Sequence, residues 1–467
     1  MRPVGLETLA WADPWWDTEV GLLWNMVGAF DDHGVKARSM HLVQPSAWYA
    51  LGLLQRDGPG DVARAARTIE TLCSIQYDAP GTPWHGTFAL MYEMPEPVEG
   101  AVQWVDYDPN WRQFVGTALW LALDGFAARL PPAVAAQAEV AIRRAVEGEP
   151  PERVSPDYTN IALMKAWLDV EAGRVGPGEA LAEAVVERFR RTGAFLEYGS
   201  PTYYGVDLYA LALWRARSSS PRLRGWGAEL EAALWRDIAR WYHPGLGNLC
   251  GPYARSYGMD MTRYASLLGL WIWHATDAIA PPFPDLAGPV DHSADVCFGP
   301  MVALLGSQVP EDARRALSAL PTPPTQRSVR QIVSEESGFV ATGWLGSDVM
   351  LGAFAGSRAR AEGQYHPATA HWRAPDGSVG WLRFVHAGPL DAEAADGRIR
   401  VTVHDHPRRG AQPTTVLSSH PGTFAEDSWS FPGITFAVHA APAGAGPTFQ
   451  TPGGTEFDLA VRRAAAP

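Results

Sequence analysis

Within eleven residues, from Glu197 to Asp207, the sequence places Glu197, Tyr198, Tyr203, Tyr204 and Asp207, flanked by Gly193, Gly199 and Gly205. Carboxylates and phenols gathered on one loop are the groups of acid–base chemistry, and glycines let a backbone or a substrate approach them closely. The plainer alternative is that several of these tyrosines pack a helix and satisfy their hydroxyls at its rim. A second loop, 251–260, carries Tyr253, Arg255, Tyr257 and Asp260. An arginine among tyrosines can clamp a carboxylate, and a phenol beside it has its ionised form favoured, which lowers its pKa toward that of a useful base. Equally, Arg255 and Asp260 could pair across a helix start. Asn160 closes a third segment, 156–160, at the beginning of an inner helix that Asp157 or Thr159 can cap, leaving the Asn160 amide for a hydrogen bond into a site.

The elements that must position these loops are helices of two alternating kinds. Segments 61–77, 132–146, 178–192 and 223–242 are amphipathic, with a single apolar stripe such as Leu230, Leu234, Ile238 and Tyr242, and are expected on an outer, solvated ring. Segments 44–54, 110–123, 158–170, 203–214 and 259–273 are apolar on nearly all sides and are expected inside. Alternation at a repeat of roughly 45 to 65 residues is the pattern of stacked αα-hairpins. The expected fold is therefore α+β: an incomplete (α/α)5-6 toroid, nearly all helix from 14 to 276, followed by an antiparallel β-sandwich. Beyond a proline-rich linker at 321–324, eight short β-type runs are punctuated by glycine and proline, with Pro375-Asp376-Gly377-Ser378 as a hairpin turn. The expected domains are 1–324, a catalytic toroid, and 325–467, the sandwich. In a toroid the loops entering the inner helices share one end, so a pocket lined by Trp84, Trp111, Asn160, Tyr204, Tyr253 and Arg255 is expected there, with His85, Tyr198 and Tyr257 as further binding residues.

Composition removes several function classes. Fifty-one acidic against 38 basic residues give a net charge of −13, which lacks the basic footprint of nucleic-acid binding. No apolar run approaches the ~20 residues of a membrane span, and the first twenty residues show no basic region followed by an apolar one. Cys73, Cys250 and Cys297 are an odd, widely spaced set, so no disulfide framework is expected and a reducing, cytoplasmic setting is. No cofactor is expected, and no metal, because His366/His371 and His404/His406 read as strand residues rather than ligands. Sixteen of the 20 tryptophans lie between Trp11 and Trp273, a density that aromatic packing between helices explains for the most part and a sugar-stacking cleft for the remainder. The oligomeric state is left open.

The order of alternating hairpins, Asn160, then Gly193-Ala194-Phe195-Leu196-Glu197-Tyr198 leading to Tyr203-Tyr204-Gly205, then Arg255 and a sandwich, resembles the polysaccharide lyases of the chondroitin/hyaluronan/xanthan lyase and heparinase II/III-like groups. The resemblance implies an oligosaccharide substrate, with Asn160 and Arg255 neutralising a uronate carboxylate and Tyr203 or Tyr204 acting as base and acid in a β-elimination. Tyr198 stands where that family carries a histidine, and His85, or His366 and His371 from the sandwich, would have to restore an imidazole. Two rival enzymes remain. An inverting glycoside hydrolase would use Glu197 with Asp260 or Asp108. A cyclase or isomerase of an apolar metabolite would use aromatic faces to hold a cation, Asp31-Asp32 being an adjacent acidic pair that lacks a spaced third aspartate. A sugar-binding scaffold is the non-enzymatic alternative.

Overall fold

The computed structural model describes residues 3–24, 40–276, 281–319, 326–356, 364–386, 388–404, 411–441 and 446–462. The Asp31-Asp32 pair, His406, and the 321–324 linker with the domain boundary expected there lie outside the described residues. The chain divides into two compact units: Met1–Arg188 with Gly205–Ala232 and Arg263–Gln308, and Phe189–Tyr204 with Ala233–Thr262 and Val309–Pro467.

The helices are α1 (Pro3–Ala12), α2 (Val43–Arg56), α3 (Asp61–Ser74), α4 (Trp111–Phe126), α5 (Pro132–Glu147) and α6 (Thr159–Glu171), then α7 (Val175–Thr192), α8 (Tyr203–Arg217), α9 (Pro221–Trp241), α10 (Leu267–Thr276), α11 (Gly299–Leu305) and α12 (Glu311–Ser318). In the first unit α2 packs on α3 and α4 on α5, while α2, α4 and α6 are neighbours in turn. The indole of Trp214 in α8 donates to Leu163 O in α6 at 2.8 Å, and that of Trp271 in α10 donates to Gly205 O in α8 at 2.8 Å. Contacts of α10 with α11 and of α11 with α2 bring the inner helices back to the first. This is the expected ring of hairpins, and its two kinds of helix follow from side-chain distribution. In α2 the run Pro45 to Leu54 is wholly buried. In α3 Ala65, Ile69 and Leu72 face inward while Arg67 and Glu70 remain in solvent.

Two stretches depart from the helical expectation. Residues 75–110 form an irregular excursion whose prolines at 80, 83, 95, 97 and 109 forbid helix. Its own small core of Tyr77, Trp84, Ala89 and Tyr107 holds it together. A short antiparallel pairing joins 75–77 to 86–89, and buried Arg112, at the start of α4, donates to the carbonyls of Pro83, His85 and Pro109 beside it. The last inner helix starts at Leu267 rather than at 259, because the Ser266 hydroxyl accepts the Gly269 N–H at 3.1 Å and so caps it there.

In the strand region, β1 (Leu23–Trp24) pairs with β2 (His41–Leu42) and β3 (Tyr242–His243) with β4 (Asn248–Leu249). The second unit then builds β5 (Arg327–Ser334), β6 (Phe339–Leu345), β7 (Val349–Ala355), β8 (Ala368–Arg373) and β9 (Val379–His386). There follow β10 (Leu390–Ala395), β11 (Arg398–Val403), β12 (Gln412–Ser418), β13 (Thr423–Phe424), β14 (Ser428–Phe431), β15 (Ile434–His439), β16 (Thr448–Thr451) and β17 (Glu456–Val461). They form a seven-stranded antiparallel sheet in the order β16-β12-β9-β8-β7-β6-β5 and a six-stranded one in the order β10-β11-β17-β15-β14-β13. The expected hairpin at 375–378 joins β8 to β9, with Asp376 Oδ1 accepting from Ser378 N. The core between the sheets is aromatic, with Trp372, Phe384, Trp429, Phe431, Phe436 and Phe457 at its centre. On β11 Ile399, Val401 and Val403 point inward and Arg398 and Arg400 outward, the alternation of a half-buried strand. Strands β7 and β8 are buried on both faces, because the segment 251–256 lies along the face turned away from the core. That approach requires glycine: a side chain at Gly352 would meet Gly251 O at 1.6 Å.

Candidate active site

Residues 197–204 of the first loop and the whole of 251–260 belong to the second unit, while Asp207 belongs to the first. The Ser200 hydroxyl accepts Tyr203 N at 2.9 Å and its carbonyl accepts Tyr204 N, so this serine caps the turn into α8 and fixes the tyrosines. Gly199, at φ +69°, brings the loop against Pro252, where any side chain would meet Pro252 O at 2.3 Å. Ala254 N donates to Tyr198 O, and Tyr253 and His366 exchange both backbone hydrogen bonds. The loop of Tyr198, the loop of Tyr253 and the lead into β8 are thereby tied edge to edge.

On this frame the four tyrosines sort into two groups. Arg255 donates from Nη1 to Glu197 Oε1 and from Nε to Gln364 Oε1, each at 2.8 Å. Its guanidinium carbon lies 4.1 Å from the centroid of the Tyr203 ring, a cation–π contact. The hydroxyls of Tyr203 and Tyr257 meet at 2.7 Å. The Arg255 side chain is 29% exposed, whereas Tyr203 is buried. Tyr198 and Tyr204 turn the other way and donate to the two oxygens of Asp237, at 2.9 and 3.1 Å. Asp237 also receives Arg240 Nη2. Carboxylate and both rings are buried, with Trp241 against Tyr198 edge to face.

Burial pushes the Tyr203 phenol well above its ordinary value; the Tyr257 phenol reinforces this, the Arg255 charge only partly offsets it, and the Glu197 carboxylate adds to it. The sequence expectation that a neighbouring arginine would lower this pKa is corrected: desolvation of the ring outweighs one cation that is itself paired with a carboxylate. Burial and the Asp237 charge likewise raise Tyr198 and Tyr204.

The remaining expected residues are placed as follows. Asp260 Oδ1 accepts from Asn248 Nδ2, Thr262 N and Thr262 Oγ1, holding the turn before α10, so the considered Arg255–Asp260 pair is replaced by Arg255 with Glu197. Tyr253 is buried, its hydroxyl donating to Leu249 O at 2.6 Å. His366 accepts from Arg383 Nη1, while His371 Nε2 lies 2.7 Å from Met259 O. Burial drives both imidazoles down, His371 to about 4, so both are neutral. Trp84, His85, Trp111 and Asn160 belong to the first unit. Trp84 is buried in the core of the 75–110 excursion, the His85 ring accepts Ala79 N at 3.1 Å, Trp111 packs edge to face on Phe114, and Asn160 is buried at the start of α6. A groove of about 710 Å³ on the first unit, lined by Arg67, Cys73, Tyr92 and Arg144 between α3 and α5, contains none of the expected residues. Among the described residues no cluster of three or more His, Cys, Asp or Glu could hold a metal, and no helix is long and apolar enough to cross a membrane.

Asp237 and Gln364 were missed in the sequence. Asp237 had a signal, since it lies on the inward row Leu230, Leu234, Asp237, Trp241 of α9, where a carboxylate needs partners. Gln364 had none, because its position depends on the pairing of 364–366 with 253–256.

The family described as "Domain of unknown function (DUF8769)" matches residues 5–307, well over half of the chain. The chain belongs to this family. The DUF8769 match ends before the first sandwich strand, β5. Arabidopsis thaliana AT-rich interactive domain-containing protein 5 is 31% identical over 106 residues, a stretch covering 21% of this chain and 23% of that protein. Among solved structures, chondroitin AC lyase of Streptomyces coelicolor A3 in complex with chondroitin sulphate aligns over 99% of this chain and 80% of its own, at 11% identity and a TM-score of 0.45. An α-L-rhamnosidase of Streptomyces avermitilis with L-rhamnose aligns over 99% and 41%, at 12% identity and a TM-score of 0.27. The fold described above rests on the chain's own hydrogen bonds and packing, not on these alignments.

Proposed function

We propose that this DUF8769 chain is a carbohydrate-active enzyme that cleaves a uronate-containing oligosaccharide or glycoside by β-elimination, with Tyr203 as its acid–base group and Arg255 as its carboxylate anchor. One observation carries the reading: a half-buried guanidinium lies on the face of a phenol whose hydroxyl is hydrogen-bonded to a second phenol. A guanidinium presents paired donors to a carboxylate and lowers the cost of the charge that develops when the adjacent carbon loses its proton. The raised pKa keeps Tyr203 protonated at rest, so its own proton must first pass out through the Tyr257 hydroxyl; the phenolate, held by the Arg255 charge, then takes the proton from the carbon beside the carboxylate and returns it to the leaving oxygen, which regenerates the phenolate. Tyr204, the other tyrosine considered, has its proton committed to Asp237.

The hydrolytic reading with Glu197 and Asp260 draws less support, since one carboxylate is paired with Arg255 and the other holds a turn. Incubating the chain with a panel of uronate-containing and neutral oligosaccharides separates the outcomes. Elimination yields products carrying the ultraviolet chromophore of an unsaturated uronate. New reducing ends without that chromophore would establish hydrolysis instead, and no cleavage of any member would remove the enzymatic reading.

A further inference from the structure

The guanidinium assigned as the carboxylate anchor already holds a carboxylate. Arg255 donates from Nη1 to Glu197 Oε1 at 2.8 Å, and the Glu197 side chain ends in the same chemical group as a uronate. Two carboxylates do not share one donor comfortably, because like charges side by side repel. The Glu197 contact is also not what holds the two loops together. Residues 198–204 are fixed by Tyr198 and Tyr204 on Asp237, by the Ser200 hydroxyl on Tyr203 N, and by Ala254 N on Tyr198 O. Arg255 is likewise held without Glu197: Gln364 Oε1 accepts its Nε at 2.8 Å, and the Tyr203 ring lies 4.1 Å from its guanidinium carbon. Gln364 is itself fixed, since its backbone carbonyl accepts Ser256 N at 2.9 Å. Glu197 lies outside any helix or strand, beside the exposed Leu196. With the Arg255 side chain 29% exposed, water reaches the pair, and an ion pair in contact with water is weakly held.

We propose that Glu197 is an internal competitor for the substrate's carboxylate and thereby a specificity-determining residue. It occupies the Arg255 donor in the resting site and swings aside when a uronate takes its place, while Gln364 and the Tyr203 ring keep the guanidinium where it was. Glu197, Tyr203, Arg255 and Gln364 all belong to the second unit. The inference rests on the assignment of Arg255 as carboxylate anchor. Its consequence is quantitative. If the internal carboxylate holds the donor about nine-tenths of the time, an external one binds about tenfold more weakly than it would to the unoccupied guanidinium. An uncharged sugar does not compete for that donor, so its affinity is independent of Glu197.

Calorimetric titration of the full chain with D-glucuronate, and with its uncharged methyl ester, reads the competition without turnover. Glu197→Gln removes the charge and leaves only a neutral acceptor, so glucuronate should bind about tenfold more tightly than to the wild type. The gain should vanish in the double variant Glu197→Gln/Arg255→Gln and be absent for the ester. Should Glu197→Gln fail to fold, Glu197→Ala reads the same gain. Glucuronate binding that is unchanged or weaker in the folded variant overturns the proposal, as does a gain of equal size for the ester or one that survives the loss of Arg255. Absence of glucuronate binding in variant and wild type alike also overturns it. On any uronate oligosaccharide that the wild type cleaves by elimination, Glu197→Gln should lower KM by a similar factor; an unchanged or raised KM overturns the competition and leaves the elimination reading in place. A wild type that cleaves nothing defeats the elimination reading, while the glucuronate titration still decides on Glu197.

Discussion

Tyr198 and Tyr204 on Asp237, and Tyr203 and Tyr257 beside Arg255, are built from one short stretch of chain and its partner loop, yet they do opposite things. The Asp237 group is closed: two phenols and a guanidinium donate to one buried carboxylate, and every ring is packed. In the Arg255 group the cation is partly exposed and lies over the face of a ring. Adjacent tyrosines point to different groups because successive residues entering a helix turn by about 100°. One group anchors the loop, and the anchoring leaves the other's geometry fixed without a covalent or metal support.

The largest expected effect falls on the closed group. Asp237→Ala strands two buried phenols and Arg240, and should cost on the order of 3–5 kcal/mol in denaturant unfolding. Arg255→Ala, at a partly exposed pair, should cost on the order of 1 kcal/mol or less. Equal losses would erase the distinction between anchor and site.

Acidification should separate the two units next. His371 is neutral in the fold, its pKa pushed down from 6.5 to about 4 by burial. Its folded pKa is depressed, so the unfolded chain takes up the proton first. The stability it contributes is present above pH 6.5 and is lost as pH falls toward 4, roughly 3 kcal/mol in all. Unfolding followed separately in the sandwich and in the helical ring should show the sandwich failing first between these pH values, and His371→Gln should flatten that dependence. A sandwich whose stability is flat over this range would contradict the neutral, buried imidazole.

The smallest expected effect is Tyr204→Phe, which removes one hydrogen bond to Asp237 while keeping the ring, and should cost about 1 kcal/mol with turnover little changed. A thermal scan beside a turnover assay checks both parts.

Much of the architecture was legible because it is periodic. The fully apolar and one-striped helices gave an inner and an outer set whose ends mostly agree within a few residues, as for 203–214 against Tyr203–Arg217, the exception being the start of the last inner helix at Leu267 rather than 259. The excursion at 75–110 was hidden because aromatic and apolar residues are dense there, and what holds it, the pairing of 75–77 with 86–89 and the three carbonyls bound by Arg112, joins residues distant in sequence. In the sandwich, β5, β10, β13, β14 and β16 went unread, since residues such as Arg327 to Ser334 alternate weakly and pair only because neighbouring strands are present. For the candidate site, the sequence singled out two loops that the fold lays edge to edge, but not the direction of each hydroxyl. Tyr203 and Tyr204 are indistinguishable as letters; Asp237, on a helix read as an outer amphipathic one, decides between them.

The central claim is that Tyr203, and not Tyr204, carries the proton. The most direct measurement is the ratio of kcat for Tyr203→Phe and Tyr204→Phe on one oligosaccharide that the wild type cleaves. The account predicts that Tyr203→Phe falls roughly a hundredfold or more below wild type with its stability nearly unchanged, while Tyr204→Phe stays close to wild type in turnover. Full activity in Tyr203→Phe, or the larger loss in Tyr204→Phe, would contradict it.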